Sequence, residues 1–93
     1  MKREIEIQAE IREYLIAAGW LVYRMNAGRR GVVQQHPAGT PDLLAMRGGV
    51  AVWVEVKTPD GKVSPVQTEM HNLLESRGFK VVVARSVDDV MFM

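Results

Sequence analysis

Apolar positions at Ile7, Ile11, Tyr14, Leu15 and Ala18 recur at i, i+4, i+7, i+8 and i+11, a stripe along one side of a helix. The spacing predicts an amphipathic helix over residues 3–18, with Gly19 as its stop. From Trp20 to Met25 the chain turns aromatic and branched, which suits a short strand. Asn26 to Thr40 carries Gly28, Gly31, Pro37 and Gly39 and reads as a loop, long for so small a chain and therefore a place to look for function. Two more strand-like runs, Asp42–Arg47 and Val50–Lys57, are separated by Gly48-Gly49, the composition of a two-residue hairpin turn. Thr58-Pro59-Asp60-Gly61 is a turn by composition. Ser64 can cap a helix that starts at Pro65, with Val66, Met70, Leu73 and Leu74 as its buried stripe and Gly78 as its end. Phe79–Ala84 is a nearly all-apolar strand, expected to be central or covered on both faces. Ser86 caps a last short helix through Met91. The order αβββαβα implies an α/β fold of the α+β kind, a mixed sheet with helices packed on it.

The hairpin has a chemical consequence. With Gly48 and Gly49 as the turn, Arg47 pairs with Val50, Met46 with Ala51, and the count outward ends with Asp42 opposite Glu55. Directly opposed residues share a face, with Cβ atoms about 4.5–5.5 Å apart. Two carboxylates that close repel unless a proton or a cation sits between them. Lys57, two residues beyond Glu55, points to the same face. Two carboxylates with an ammonium beside them are the equipment for metal-assisted hydrolysis of a phosphodiester. Asp42 and Glu55 are the candidate ligands of a hard divalent cation such as Mg²⁺, and the backbone carbonyl of Val56 can complete the set. Lys57 would orient the attacking water or neutralise charge developing on the phosphoryl group. The plainer alternative is that Asp42 opens a strand while Glu55 and Lys57 form an exposed ion-paired face. A Pro-Asp entry and the register together aim three ionisable groups at one spot in a strand otherwise made of Val, Ala and Trp, which favours the site.

Other positions add to it unequally. At about 100° per residue, Glu4 falls on the core-facing side of the first helix, with Gln8 one turn later on its flank. Each is a candidate for holding the metal or its water, whereas Glu10 and Glu13 are most simply solvated. Gln67 can line the site or bond back to Ser64 in a capping box. His71, one turn further, is expected at the surface. His36 reads as an ordinary loop residue, and Trp53, on the strand face of Glu55, as a packing residue. No CxxC, HExxH, Walker loop, nucleophile elbow or dinucleotide fingerprint appears.

At 93 residues the chain is expected to be a single domain, residues 1–93, and its 47% apolar and 25% charged residues are ordinary for a soluble protein. No apolar run approaches a membrane span and no signal peptide is visible, so the expected location is the cytoplasm of a bacterium or, for a viral protein, of its host. The absence of cysteine excludes a disulfide scaffold and a thiolate metal site. Net charge is only +1, but between Glu13 and Asp42 there is no acidic residue, while Arg24, Arg29, Arg30 and His36 fall there. A positive stretch leading into the carboxylates suits a polyanionic substrate, with Arg24, Arg29, Arg30 and Lys62 as phosphate contacts; a solvated arginine loop is the alternative.

The order αβββαβα with Pro41-Asp42 and Glu55-Val56-Lys57 resembles the PD-(D/E)XK nuclease superfamily, whose core is restriction-endonuclease-like. Within it the chain is similar to the stand-alone VRR-NUC family of viral and bacterial replication-repair nucleases. The likeness covers nearly the whole chain: Glu6-Ile7-Gln8 with Tyr14-Leu15, Arg24 to Gly28, Gly39 to Leu44, Glu55 to Gly61, Ser64 to Gln67 and Ala84 to Val90. It implies a Mg²⁺- or Mn²⁺-dependent, structure-selective DNA endonuclease acting on branched DNA, most simply a Holliday-junction resolvase working as a homodimer. A general nickase or flap nuclease of the same fold, and a DNA-binding module without chemistry, are the rival readings. Family roles carry onto Asp42, Glu55 and Lys57, and onto Gln8 by its spacing before Tyr14-Leu15. Many relatives in the wider superfamily have an acid where Gln8 stands, which leaves Glu4, Glu6 or Gln8 itself to complete the site. The tail Val90-Met91-Phe92-Met93 and the six methionines offer either a dimer interface or a cap on the monomer core.

Overall fold

The structure is a computed structural model that describes residues 1–25 and 36–93. Helix α1 spans Glu4–Ala17, strand β1 Leu21–Arg24, β2 Leu43–Arg47, β3 Val50–Val56, α2 Pro65–Ser76 and β4 Lys80–Ala84. A single 3₁₀ turn, Val87–Val90, follows in place of the expected last helix. The sheet runs β1-β2-β3-β4, with the first two pairings antiparallel and β3–β4 parallel.

The hairpin register is the one that Gly48-Gly49 dictates: Arg47 faces Val50 and Leu43 faces Val54, with no bulge between. Alternation along β3 then sorts the side chains. Val52, Val54 and Val56 go to one face, where they pack with Ile7, Ile11 and Leu15 of α1 and with Leu43 and Ala45 of β2. Ile11 and Leu15 are completely buried, and each such aliphatic contributes about 1.5–3 kcal/mol of transfer free energy. Tyr14 and Ala18 pack at the margin of this core, as the stripe predicts.

Both helices end in the same way. The N–H groups of Gly19 and Trp20 return to the carbonyls of Ile16 and Leu15, and those of Gly78 and Phe79 to Glu75 and Leu74. This return takes Trp20 out of β1 and into the core, under the Arg47 guanidinium 4.5 Å from its ring. Arg47 also donates to the Ala18 carbonyl at 2.6 Å, which ties the hairpin to the end of α1.

Helix α2 departs from its predicted facing. Val66 and Leu73 are exposed, Met70 and Leu74 are half-buried, and the one buried residue is His71. The helix lies over the end of the sheet where Glu55 needs a polar partner, so the Gln67–His71–Leu74 side turns inward. Strand β4 is an edge rather than a central strand; α2 and the 3₁₀ turn cover it. The tail divides: Val90 is fully buried and Met93 packs on the core, while Met91 and Phe92 are exposed.

One glycine sets how near α2 approaches. Gly39 has φ +84°, and a Cβ there would lie 2.4 Å from the Val66 carbonyl oxygen. Gly49 has a similar φ of +79° but open space around it. Gly49→Ala is expected to lose about 1–2 kcal/mol from the left-handed backbone alone. Gly39→Ala should lose about 1–3 kcal/mol more, because the backbone of α2 must move. Urea denaturation of the two variants checks this; equal losses would show that the contact yields freely.

Candidate active site

Glu55 lies on the β3 face away from the valine core and is only 1% exposed. An ionised carboxylate in such surroundings costs several kcal/mol unless it is paired or hydrogen-bonded. Two neighbours meet it. At the entry to the facing strand, the Asp42 side chain accepts a hydrogen bond from the Glu55 carboxyl. From α2, His71 Nε2 lies 3.0 Å from Glu55 Oε1. Asp42 is itself buried and its Oδ2 accepts the Val56 N–H at 2.8 Å. The aspartate side chain thus occupies the place next along the β2–β3 ladder, just past the Leu43–Val54 pair.

Electrostatics follow from this packing. Burial first, then the hydrogen bond and negative charge of Asp42, push Glu55 from 4.5 up to about 8; Lys57 opposes the shift and Glu4 adds to it. Burial holds the His71 imidazole below its ordinary 6.5. The pair at 3.0 Å is therefore a neutral imidazole against a carboxyl that keeps its proton at neutral pH, rather than a salt bridge.

Lys57 is half-buried at the end of β3, near enough that its charge acts on both Glu55 and His71. Its N–H donates to the Ala84 carbonyl at 3.0 Å. The turn that follows is clamped by Arg85, whose guanidinium donates to the carbonyls of Thr58 at 2.7 Å and Gly61 at 2.6 Å. Arg85 thereby fixes the segment leaving Lys57, a role its place in the sequence did not announce.

Helix α1 contributes at a distance. Glu4 is exposed in the first turn rather than core-facing, although its charge reaches Glu55. Gln8 Oε1 accepts from Arg24 Nε at 3.2 Å, and Arg24 pairs with Leu43, next to Asp42. Glu6 is engaged elsewhere. It accepts from the Arg3 backbone at 3.1 Å, and that bond together with the Arg3 side chain lowers its pKa.

Gln67 forms the capping box: its Oε1 accepts the Ser64 N–H at 2.9 Å and its own N–H donates to Ser64 Oγ. Lys62, in the connection between β3 and α2, and His36 are exposed, and Trp53 is half-buried between Leu44 and Val81. Arg29 and Arg30 lie outside the described residues.

His71 corrects the expectation of a surface histidine. The signal for it was indirect: a buried Glu in a valine strand needs a donor, and His71 stands one turn after the Gln67 of the capping box. Among the described residues no three His, Asp or Glu side chains form a ready metal cage. The donor set is the carboxyl pair Asp42–Glu55. That fits a hard cation, which is commonly held by one or two carboxylates and keeps several waters.

The raised Glu55 pKa makes stability depend on pH. Between 4.5 and about 8 the folded chain holds a proton that the unfolded chain releases, so Glu55 lowers stability as pH rises through that window. His71 acts with the opposite sign, but only below 6.5. In chelator the melting temperature should therefore fall from pH 6.5 to pH 8, and Glu55→Gln should flatten the decline. A wild-type melting temperature that rises over this range would refute the assignment.

The family model of the VRR-NUC domain matches residues 21–88, from β1 into the 3₁₀ turn. The chain is 33% identical over 88 residues to a protein named "Putative nuclease p44" of Acyrthosiphon pisum secondary endosymbiont phage 1, covering 92% of this chain and 86% of that one. A solved structure of a VRR_NUC domain superposes with a TM-score of 0.74 at 32% identity, over 97% of this chain and 91% of that one. The matched stretch contains Asp42, Glu55, Lys57, His71 and Arg85. The chain belongs to the VRR-NUC family of nucleases.

Proposed function

We propose that this nuclease is a divalent-metal-dependent DNA endonuclease that cuts branched DNA, with a four-way junction as substrate and a homodimer as the working form. The observation that carries the reading is the buried contact between the Asp42 and Glu55 carboxyls, two acids placed together where burial and the neighbouring Asp42 hold a proton on Glu55. Mg²⁺ or Mn²⁺ would be held by Asp42, Glu55 and the Val56 carbonyl, with Gln8 or Glu4 holding its water. Bound there, the cation supplies Lewis acidity toward a phosphoryl oxygen and lowers the pKa of water.

The chain's own residues do the rest. Glu55 gives up the proton it holds at neutral pH, and its carboxylate with that of Asp42 would hold the cation. Lys57 orients the attacking water and neutralises charge that gathers on the phosphoryl group. Arg24, Arg29, Arg30 and Lys62 hold flanking phosphates, with Gln67 beside them. Symmetric cleavage of a junction needs two centres, which a C2 pair provides; exposed Met91 and Phe92 are the tail residues left for an interface. The place of action in this reading is the cytoplasm.

Labelled four-way junction and linear duplex, incubated with Mg²⁺, test the reading. Asp42→Asn should reduce junction cleavage by more than about 100-fold, since altering even a metal ligand's hydrogen-bonding partner costs about 10–100-fold. Lys57→Ala should reduce it by about 10²–10³-fold. Cleavage that persists in Asp42→Asn removes Asp42 from the mechanism. Unpaired incisions would instead favour a nickase or flap nuclease of this fold. Alanine at Arg24 should weaken junction binding and lower its salt slope by about one unit.

A further inference from the structure

We propose that His71 is a positioning residue for the metal centre: its Nε2–H holds Glu55 Oε1 so that the carboxylate is already oriented for a divalent cation. The proposal rests on the reading that Asp42 and Glu55 hold the metal, and it assigns a role to a residue of α2 that would not touch the cation itself.

Three observations support it. The contact is 3.0 Å long between two side chains that are both buried, 8% and 1% exposed. A surface encounter has no such geometry. The helix that brings His71 is fixed at its start, by the Ser64–Gln67 capping box and by the close approach of Gly39 to the Val66 and Gln67 backbone. His71 follows Gln67 by one turn, so the imidazole is delivered by an anchored element. Finally, His71 is the single buried residue of α2. A helix whose most buried residue is polar is placed for that residue's contact more than for an apolar seam.

The chemistry is simple. A carboxylate that binds metal must be ionised and then only accepts hydrogen bonds. Glu55 has rotatable bonds that would otherwise have to be ordered when the cation arrives. An Nε2–H donor on Oε1 orders them beforehand and leaves the other oxygen for the cation. A carboxylate ligand oriented by such a partner binds metal more tightly.

Two substitutions isolate the contact. His71→Gln places an amide nitrogen at the position of Nε2, whereas His71→Asn places one at the position of Nδ1 and falls short of Glu55. Mg²⁺ and Mn²⁺ affinities are measured by calorimetry on the full chain without DNA. His71→Asn should weaken binding by about 10–100-fold, and His71→Gln should restore most of it. Equal affinities in the two variants, at whatever level, would overturn the proposal.

A wild-type measurement keeps the inference testable if either variant fails to fold. Ring ¹⁵N NMR at saturating Mg²⁺ should show the proton of His71 on Nε2; a proton on Nδ1 alone would overturn the assignment. Asp42→Asn separates this inference from the reading beneath it. If wild type binds the cation, Asp42→Asn abolishes binding and His71→Asn does not change it, only the positioning role fails. If wild type binds neither cation, the metal reading fails and takes this inference with it.

Discussion

A carboxyl with almost no exposure, set in a strand of valines, is the constraint around which the molecule is arranged. Glu55 gains nothing from its burial as an apolar residue would, and it cannot be left without partners. Asp42 comes to it through the hairpin register, and His71 through α2. The details that look incidental converge on this point. Gly39 lets α2 approach, the capping box fixes where that helix starts, and Arg85 clamps the turn that leaves Lys57. A valine at position 55 would accept the same burial without needing a partner. The fold carries an acid pair there at a cost to its own stability, which is what marks the pair as the candidate site.

The sheet divides its labour by face. Val52, Val54 and Val56 send one side of β3 into the core with α1. The opposite side carries Ala51, Trp53 and Glu55, and becomes polar only toward its C-terminal end. One strand therefore supplies both the rigid support and a carboxyl of the candidate site. A displacement of Glu55 would require the valines on either side of it to leave a close-packed interior.

Much of this was legible in the sequence because it is governed by local rules. A two-residue turn and the period of two fix which residues face each other, so the Asp42–Glu55 meeting follows from Gly48-Gly49 alone. The α1 stripe, the capping box at Ser64 and the resemblance carried by Glu55-Val56-Lys57 are of the same local kind. What was not legible depended on tertiary demand. The apolar stripe of α2 pointed to Val66 and Leu73, but a buried acid outranked it and turned His71 inward. The exposure of Glu4 depends on where α1 begins over the sheet. The edge position of β4 depends on strand order, which an all-apolar composition does not encode when helices cover both faces. Arg85 acts on carbonyls 24 to 27 residues away, beyond the reach of any periodicity.

The parallel pairing of β3 with β4 has a consequence for how the chain comes alive. The β2–β3 hairpin closes over a short stretch of chain and can form early, whereas β4 pairs with β3 only after α2 has crossed over. In a hairpin standing alone, the two carboxyls are wet, fully charged and mutually repelling. They become a buried pair, with the proton held on Glu55, only when α2 and β4 close over them, bringing His71. An incomplete chain therefore carries the two acids without the packing and the imidazole that surround them in the complete fold.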